Sequence, residues 1–178
     1  MLPTADNPWP ESVPLTPCSA LPLTEPLRER LRRMREHQMS EHRAGRPQLV
    51  CGVFYDEEVV CLRAGGGHAV YLGTDGRVHY ENYGEGVDKV VLTDPRDVAS
   101  TIVKCAGDIG MPELIDLLPV RPGNGFVCLL CEGTRWEPPE STGDPEGRPW
   151  CCRRCRGLGW TQAEAPSKPE DVTAIVDE

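Results

Sequence analysis

This sequence predicts an α+β fold with a small metal-binding module appended, and three observations carry that prediction. Residues 25 to 43 set apolar side chains at helical spacing against a face dense in arginine. Residues 48 to 93 change to a period near two and are rich in valine and tyrosine. Near the C-terminal end a Cys-x-x-Cys pair occurs twice, in similar surroundings.

Residues 1–24 carry prolines at 3, 8, 10, 14, 17 and 22 without a period, which predicts an extended arm whose Trp9 and leucines are free to dock. In "TEPLRERLRRMREHQMSEHR" Thr24 suits the N-cap, Pro26 suits the first turn, and Leu27, Leu31 and Met34 share a face. Gly45 and Pro47 mark its end. Arg28, Arg30, Arg32, Arg33 and Arg35 interleave with Glu25, Glu29, Glu36 and Glu41, so pairing along the helix neutralises much of the charge. Arg28, Arg32 and Arg35 are still the candidates on this helix for contact with a partner.

The segments "QLVCGVFY", "EVVCLRA", "HAVYLG", "RVHYENYG" and "DKVVLTD" read as four or five antiparallel strands. "TDG" at 74–76 is the strongest hairpin cue, because Gly76 supplies a positive φ. Asp94 and Pro95 then open a helix with Val98, Ile102 and Cys105 along one face, and "PELIDLLP" reads as a second, short helix. The expected organisation is an α+β domain over 25–120, a turn-rich joint "VRPGNG", a cysteine-rich module over 126–161 and an acidic mobile tail over 162–178.

The formal net charge is -9, which argues against bulk attraction to nucleic acid or anionic lipid while leaving room for a local basic stripe. No apolar run approaches the roughly 20 residues a membrane span needs, and the opening residues lack the pattern of a secretory leader. The expected address is the cytoplasm. There nine cysteines are thiols and metal ligands rather than a disulfide framework.

Cys128, Cys131, Gly133 and Trp136 match Cys152, Cys155, Gly157 and Trp160 after a shift of 24 positions. The cysteines form C-x2-C-x20-C-x2-C, within the spacing of four-cysteine zinc sites. Each pair makes a hook aiming two sulfurs at one point, and the following glycine lets the chain turn back toward them. Two hooks complete a tetrahedron around one Zn²⁺, which leaves no position for water and so implies a structural role. Trp136 and Trp160 are expected to pack over the site or against the main domain. Arg153, Arg154 and Arg156 stand where they offset thiolate charge or meet a partner. Cys151 competes with Cys152 as ligand, although the repeat favours Cys152. A redox dithiol is the alternative chemistry. Cys51, Cys61 and Cys105 lie among apolar neighbours and read as buried thiols.

"CRRCRGLG" resembles the C-x-x-C-x-G-x-G repeat of the zinc domain of DnaJ-type (Hsp40) co-chaperones, and "CLLCEGTR" matches all but the last glycine, which is Arg135. In that family repeats pair to bind zinc and the region assists contact with client proteins. Two repeats rather than four imply one zinc here. The His-Pro-Asp of a J domain is missing, so stimulation of an Hsp70 ATPase is not implied. "VYLGTDGRVHYENYGEG" resembles, more weakly, small bacterial accessory proteins of the SMI1/KNR4-like immunity type.

No catalytic pattern emerges. "AGGGHAV" lacks the lysine and Ser/Thr of a phosphate loop and reads as a strand connection, and the spacings of His37, His42, His68 and His79 fit no metalloenzyme motif. The expectation is a non-enzymatic zinc-binding accessory protein that works through protein–protein interaction, immunity-like or escort-like. The alternative is a nucleic-acid-binding zinc protein that uses helix 27–43 and the 152–160 knuckle, with Trp160 as a stacking platform. A thiol oxidoreductase is the minor enzymatic reading.

Overall fold

The computed structural model describes residues 15–44, 58–138, 141 and 150–162. The expected strand at 48–55, the helix-ending Gly45 and Pro47, Cys51, the first part of the arm and the acidic tail lie outside the described residues.

Helix α1 spans Glu25–Arg43, as its apolar spacing requires. Leu31 is fully buried, with Leu27 and Met34 packed beside it. Four strands follow, β1 (Val59–Gly65), β2 (His68–Gly73), β3 (Val78–Asn82) and β4 (Val87–Val91), forming one antiparallel sheet in sequence order. Alternation assigns the two faces. Val60, Leu62, Val70, Leu72 and Val78 enter the main core, while Val59, Cys61, Ala69 and Tyr71 form a smaller cluster. Register slips between Cys61 and Arg63, and Gln38 of α1 grips this irregularity. Its side-chain amide donates to Cys61 O at 2.8 Å and accepts from Cys61 N–H at 3.0 Å, so it behaves as a one-residue continuation of the sheet edge.

The β2–β3 turn shows why residue 76 is glycine. Its φ is 88°, and a Cβ there would lie 2.2 Å from Leu21 O. Leu21 passes that close because its N–H donates to Gly76 O at 2.8 Å, which leads Leu21 and Leu23 into the core. The last residues before α1 are therefore docked on the β2–β3 turn.

Helix α2 spans Pro95–Ala106, capped by Asp94, whose side chain accepts from Arg96 N–H. Val98, Ala99, Ile102, Val103, Cys105 and Ala106 are buried against the sheet and against a 3₁₀ turn at Pro112–Leu117, the short helix the sequence predicts. The four clustered cysteines, Leu158 and Trp160 belong to this same core, so the C-terminal module closes the interior that α2 and the sheet begin.

Candidate metal centre

The 24-residue sequence repeat folds into a geometric repeat. Short strands bracket each hook: β5 (Phe126–Val127) and β6 (Trp136–Glu137) around the first, β7 (Trp150–Cys151) and β8 (Trp160–Thr161) around the second. β5 pairs with β8 and β6 with β7, so each hook's leading strand bonds the other hook's trailing strand. The paired residues, Val127↔Trp160 and Trp136↔Cys151, exchange under the same shift. So do two backbone bonds: Cys128 N–H donates to Gly159 O at 3.0 Å, and Cys152 N–H donates to Arg135 O at 2.9 Å. The result is a local two-fold in which neither hook satisfies its backbone without the other.

The dihedrals repeat as well. φ is 50° and 52° at Glu132 and Arg156, 86° and 84° at Gly133 and Gly157, and 74° and 79° at Arg135 and Gly159. Left-handed backbone costs a non-glycine residue about 1–2 kcal/mol. Glu132, Arg135 and Arg156 are held there by the strands and sulfurs around them.

All four sulfurs converge. Cys128 Sγ lies 3.7 Å from Cys152 Sγ, and Cys131 Sγ lies 3.7 Å from Cys155 Sγ. The whole set falls within 4.8 Å and is buried. A tetrahedral centre with metal–sulfur bonds near 2.3 Å needs sulfurs about 3.8 Å apart, so the cluster is able to coordinate one metal ion. Without a cation the thiols share protons. S–H donation from Cys152 and then Cys155 pulls Cys128 well below the usual thiol range, while Cys152 and Cys155, which hold the protons, are pushed up. A divalent cation replaces those protons, so metal uptake releases them and weakens as pH falls. Gly159 N–H, which donates to Cys155 Sγ at 3.2 Å, supplies the backbone contact that the glycine-rich turn was expected to allow.

Cys151 stands outside the cluster of four, and Cys152 occupies the ligand position as the repeat favours. The Cys151 thiol is half-buried, its pKa is pushed up by that burial, and it packs where a Cβ on Gly157 would lie 3.1 Å from its sulfur.

Trp160 is only 7% exposed and donates from Nε1 to Pro119 O at 3.1 Å, anchoring the module to the end of the 3₁₀ turn. Burial removes it as a stacking platform. Trp136 is half-buried. Arg153 meets the buried carboxylate of Glu137, which also accepts the Arg153 N–H at 2.8 Å, and Arg156 pairs with Asp97 of α2. On α1, Arg28 donates to Thr74 O, Arg30 meets Glu113, and Arg32 meets Glu25 at 2.9 Å and Glu29 at 3.4 Å. Arg35 and Arg154 also have interaction partners. Much of the arginine face thus fastens α1 to itself and to neighbouring elements.

Sequence reasoning passed over Arg135. Its guanidinium donates through Nη1 to Gly157 O and Leu158 O, both at 2.8 Å, and so ties the first hook to the second. The signal was the one position where "CLLCEGTR" breaks the glycine pattern. The break trades an unstrained backbone for a clamp across the repeat.

No family model, curated protein or solved structure matches the chain, and the two resemblances stay at the level of the residues that carry them.

Proposed function

We propose that this chain is a non-enzymatic accessory protein in which one Zn²⁺ joins the two hooks and the first hook presents an apolar surface to a protein partner. Four thiolates fill a tetrahedral ion, which supports a structural rather than a catalytic role for the metal. Zinc fits the all-sulfur donor set, and a reducing compartment such as the cytoplasm keeps those thiols free to bind it.

One internal comparison carries the reading. The hooks are the same structure built twice, yet the residues between the cysteines are Leu129 and Leu130 in the first and Arg153 and Arg154 in the second. The second hook shows that the fold accepts charge at these positions, so its stability does not require leucine at 129. Leu129 is 60% exposed, with Phe126 and Val127 also exposed on the preceding strand. Exposed apolar residues grouped on one hook suit a protein interface. The net charge of -9 suits a partner with a basic surface, as in an immunity or escort role.

The test exchanges the hooks' chemistry. Leu129→Arg places the second hook's residue in the first and should leave zinc content and melting temperature unchanged. Protein captured from native lysate in stoichiometric amount should be lost with this variant. A partner retained in full by Leu129→Arg, or no stoichiometric protein partner at all, overturns the proposal.

A further inference from the structure

The register slip in β1 redirects a charge. Plain alternation would set Arg63 on the face of Val59 and Cys61, but the slip pairs it with Val70, a residue of the main core. Bulges of this kind re-aim single side chains. Arg63 is thereby turned to the α2 side of the sheet, where it is exposed and lines an open cleft of about 940 Å³ between α2, the end of β1 and the second hook. That volume lies within the ~300–1,000 Å³ range of small-molecule sites.

Lys104 of α2 lines the same cleft, as do Arg153 and Arg156 of the second hook and one carboxylate, Asp108. Arg153 and Arg156 are offset by Glu137 and Asp97. Arg63 and Lys104 have no ion-pair partner among the described residues. These two cations stand close together, since both of them, with Asp108, act on the buried Cys105 thiol. Two cations against one carboxylate leave the helix–sheet side of the cleft positive, in a chain of net charge -9. The end of α2 does not cancel this charge. The carbonyls of Cys105 and Ala106 accept from Ile109 N–H at 3.2 Å and Met111 N–H at 2.8 Å, so these last-turn acceptors are already used.

A guanidinium on a strand and an ammonium on a helix approach a ligand from different walls. A carboxylate offers two oxygens in one plane and suits a single guanidinium, whereas a phosphate points its oxygens in several directions and can meet both cations. Buried Val103 and half-buried Trp136 also line the cleft and offer apolar surface to the rest of a ligand.

We propose that this cleft binds a phosphate ester, its phosphoryl oxygens held by Arg63 and Lys104 and its organic part lying against Val103 and Trp136. Phe126, Val127 and Leu129 take no part in these walls, so the site is independent of the first hook's apolar face.

The whole chain, purified with zinc present, is titrated by calorimetry with phenyl phosphate, inorganic phosphate and succinate. Phenyl phosphate should bind at one site per chain, more tightly than inorganic phosphate, with succinate weakest, and added salt should weaken it. Arg63→Gln and Lys104→Gln should each weaken phenyl phosphate about 5-fold or more, equivalent to about 1 kcal/mol at 1.4 kcal/mol per tenfold change. Both side chains are exposed, and an unchanged melting temperature verifies each variant's fold. Arg121→Gln, an exposed cation that does not line the cleft, should leave binding unchanged. Absence of saturable binding by phenyl phosphate overturns the proposal, as does binding insensitive to both cleft variants or equally sensitive to Arg121→Gln. Succinate or inorganic phosphate binding as tightly as phenyl phosphate overturns it too.

Discussion

In the helix–sheet body, Leu31, Leu72, Ile102 and Leu114 are fully buried among other hydrocarbon side chains. In the cysteine module the same degree of burial falls mainly to Cys128, Cys131, Cys152 and Cys155. With the proposed ion in place, one interior is closed by two kinds of attraction. Apolar burial is non-directional and spreads its contribution, at roughly 1.5–3 kcal/mol per large side chain. A four-thiolate centre is directional and gathers its contribution in one place, on the order of 10–16 kcal/mol of apparent metal-binding free energy in small zinc peptides. The body should fail gradually as contacts are removed, and the module should fail at once.

The largest expected effect tests that contrast. Cys152→Ser removes one of the four sulfurs of the proposed zinc site, and metal analysis should find zinc lost or greatly weakened. Because Leu158 and Trp160 are shared with the core, thermal melting should fall for the whole protein. The neighbouring Cys151→Ser should keep one zinc per chain. If Cys151→Ser lost the metal and Cys152→Ser kept it, the ligand assignment would be wrong.

Ile102→Ala attacks the other side of the comparison. It should cost about 2–5 kcal/mol in denaturant unfolding while zinc per folded chain stays unchanged. Loss of zinc in this variant under native conditions would show that the metal site depends on packing in the body as well as on its own four sulfurs.

A smaller effect compares the two hooks with each other. Gly133 and Gly157 hold nearly the same φ, 86° and 84°, but their surroundings differ. A Cβ on Gly133 meets Val127 Cγ1 at 3.6 Å and Gly159 O at 3.9 Å, both ordinary contacts, whereas one on Gly157 meets the Ala99 backbone and Cys151 Sγ at 3.1 Å. Gly133→Ala should cost about 1–2 kcal/mol from dihedral strain alone. Gly157→Ala should cost a further ~1–3 kcal/mol from crowding against α2. Equal costs would mean that the second hook is not seated on α2 as described.

A last effect concerns pH and the body alone. Burial pushes the Cys105 thiol from 9.0 up to about 11. The folded state then holds a proton that the unfolded chain releases above pH 9, so stability falls as pH rises from about 9 to about 11. The loss from this group is on the order of 2–3 kcal/mol, and Cys105→Ala should remove that part of the alkaline slope in denaturant titrations.

Much of the architecture was legible because it is written in local periods. The 3.6-residue spacing of Leu27, Leu31 and Met34, the alternation through β1 to β4 and the Asp94–Pro95 cap each act within a few residues. The convergence of the four sulfurs was legible because covalent spacing limits where a Cys-x-x-Cys pair can aim them. The two-fold pairing of β5 with β8 and β6 with β7 was not, since backbone partners between separated segments leave no mark on either one. Nor was the fate of equivalent residues. Trp136 and Trp160 occupy the same place in the repeat, yet one borders an open cleft and the other is sealed against Pro119.

By itself the sequence determined the helix, the strands, the capped second helix and the set of four sulfurs, because these follow from side-chain periodicity and short-range chain geometry. Only the tertiary structure decided which hook would face α2 and which would face solvent. It also decided that Arg135 would clamp the repeat and that Arg63 and Lys104 would share a cleft with two indoles. Those outcomes depend on the packing of segments far apart in the chain, and in a local two-fold such packing must treat chemically similar positions differently.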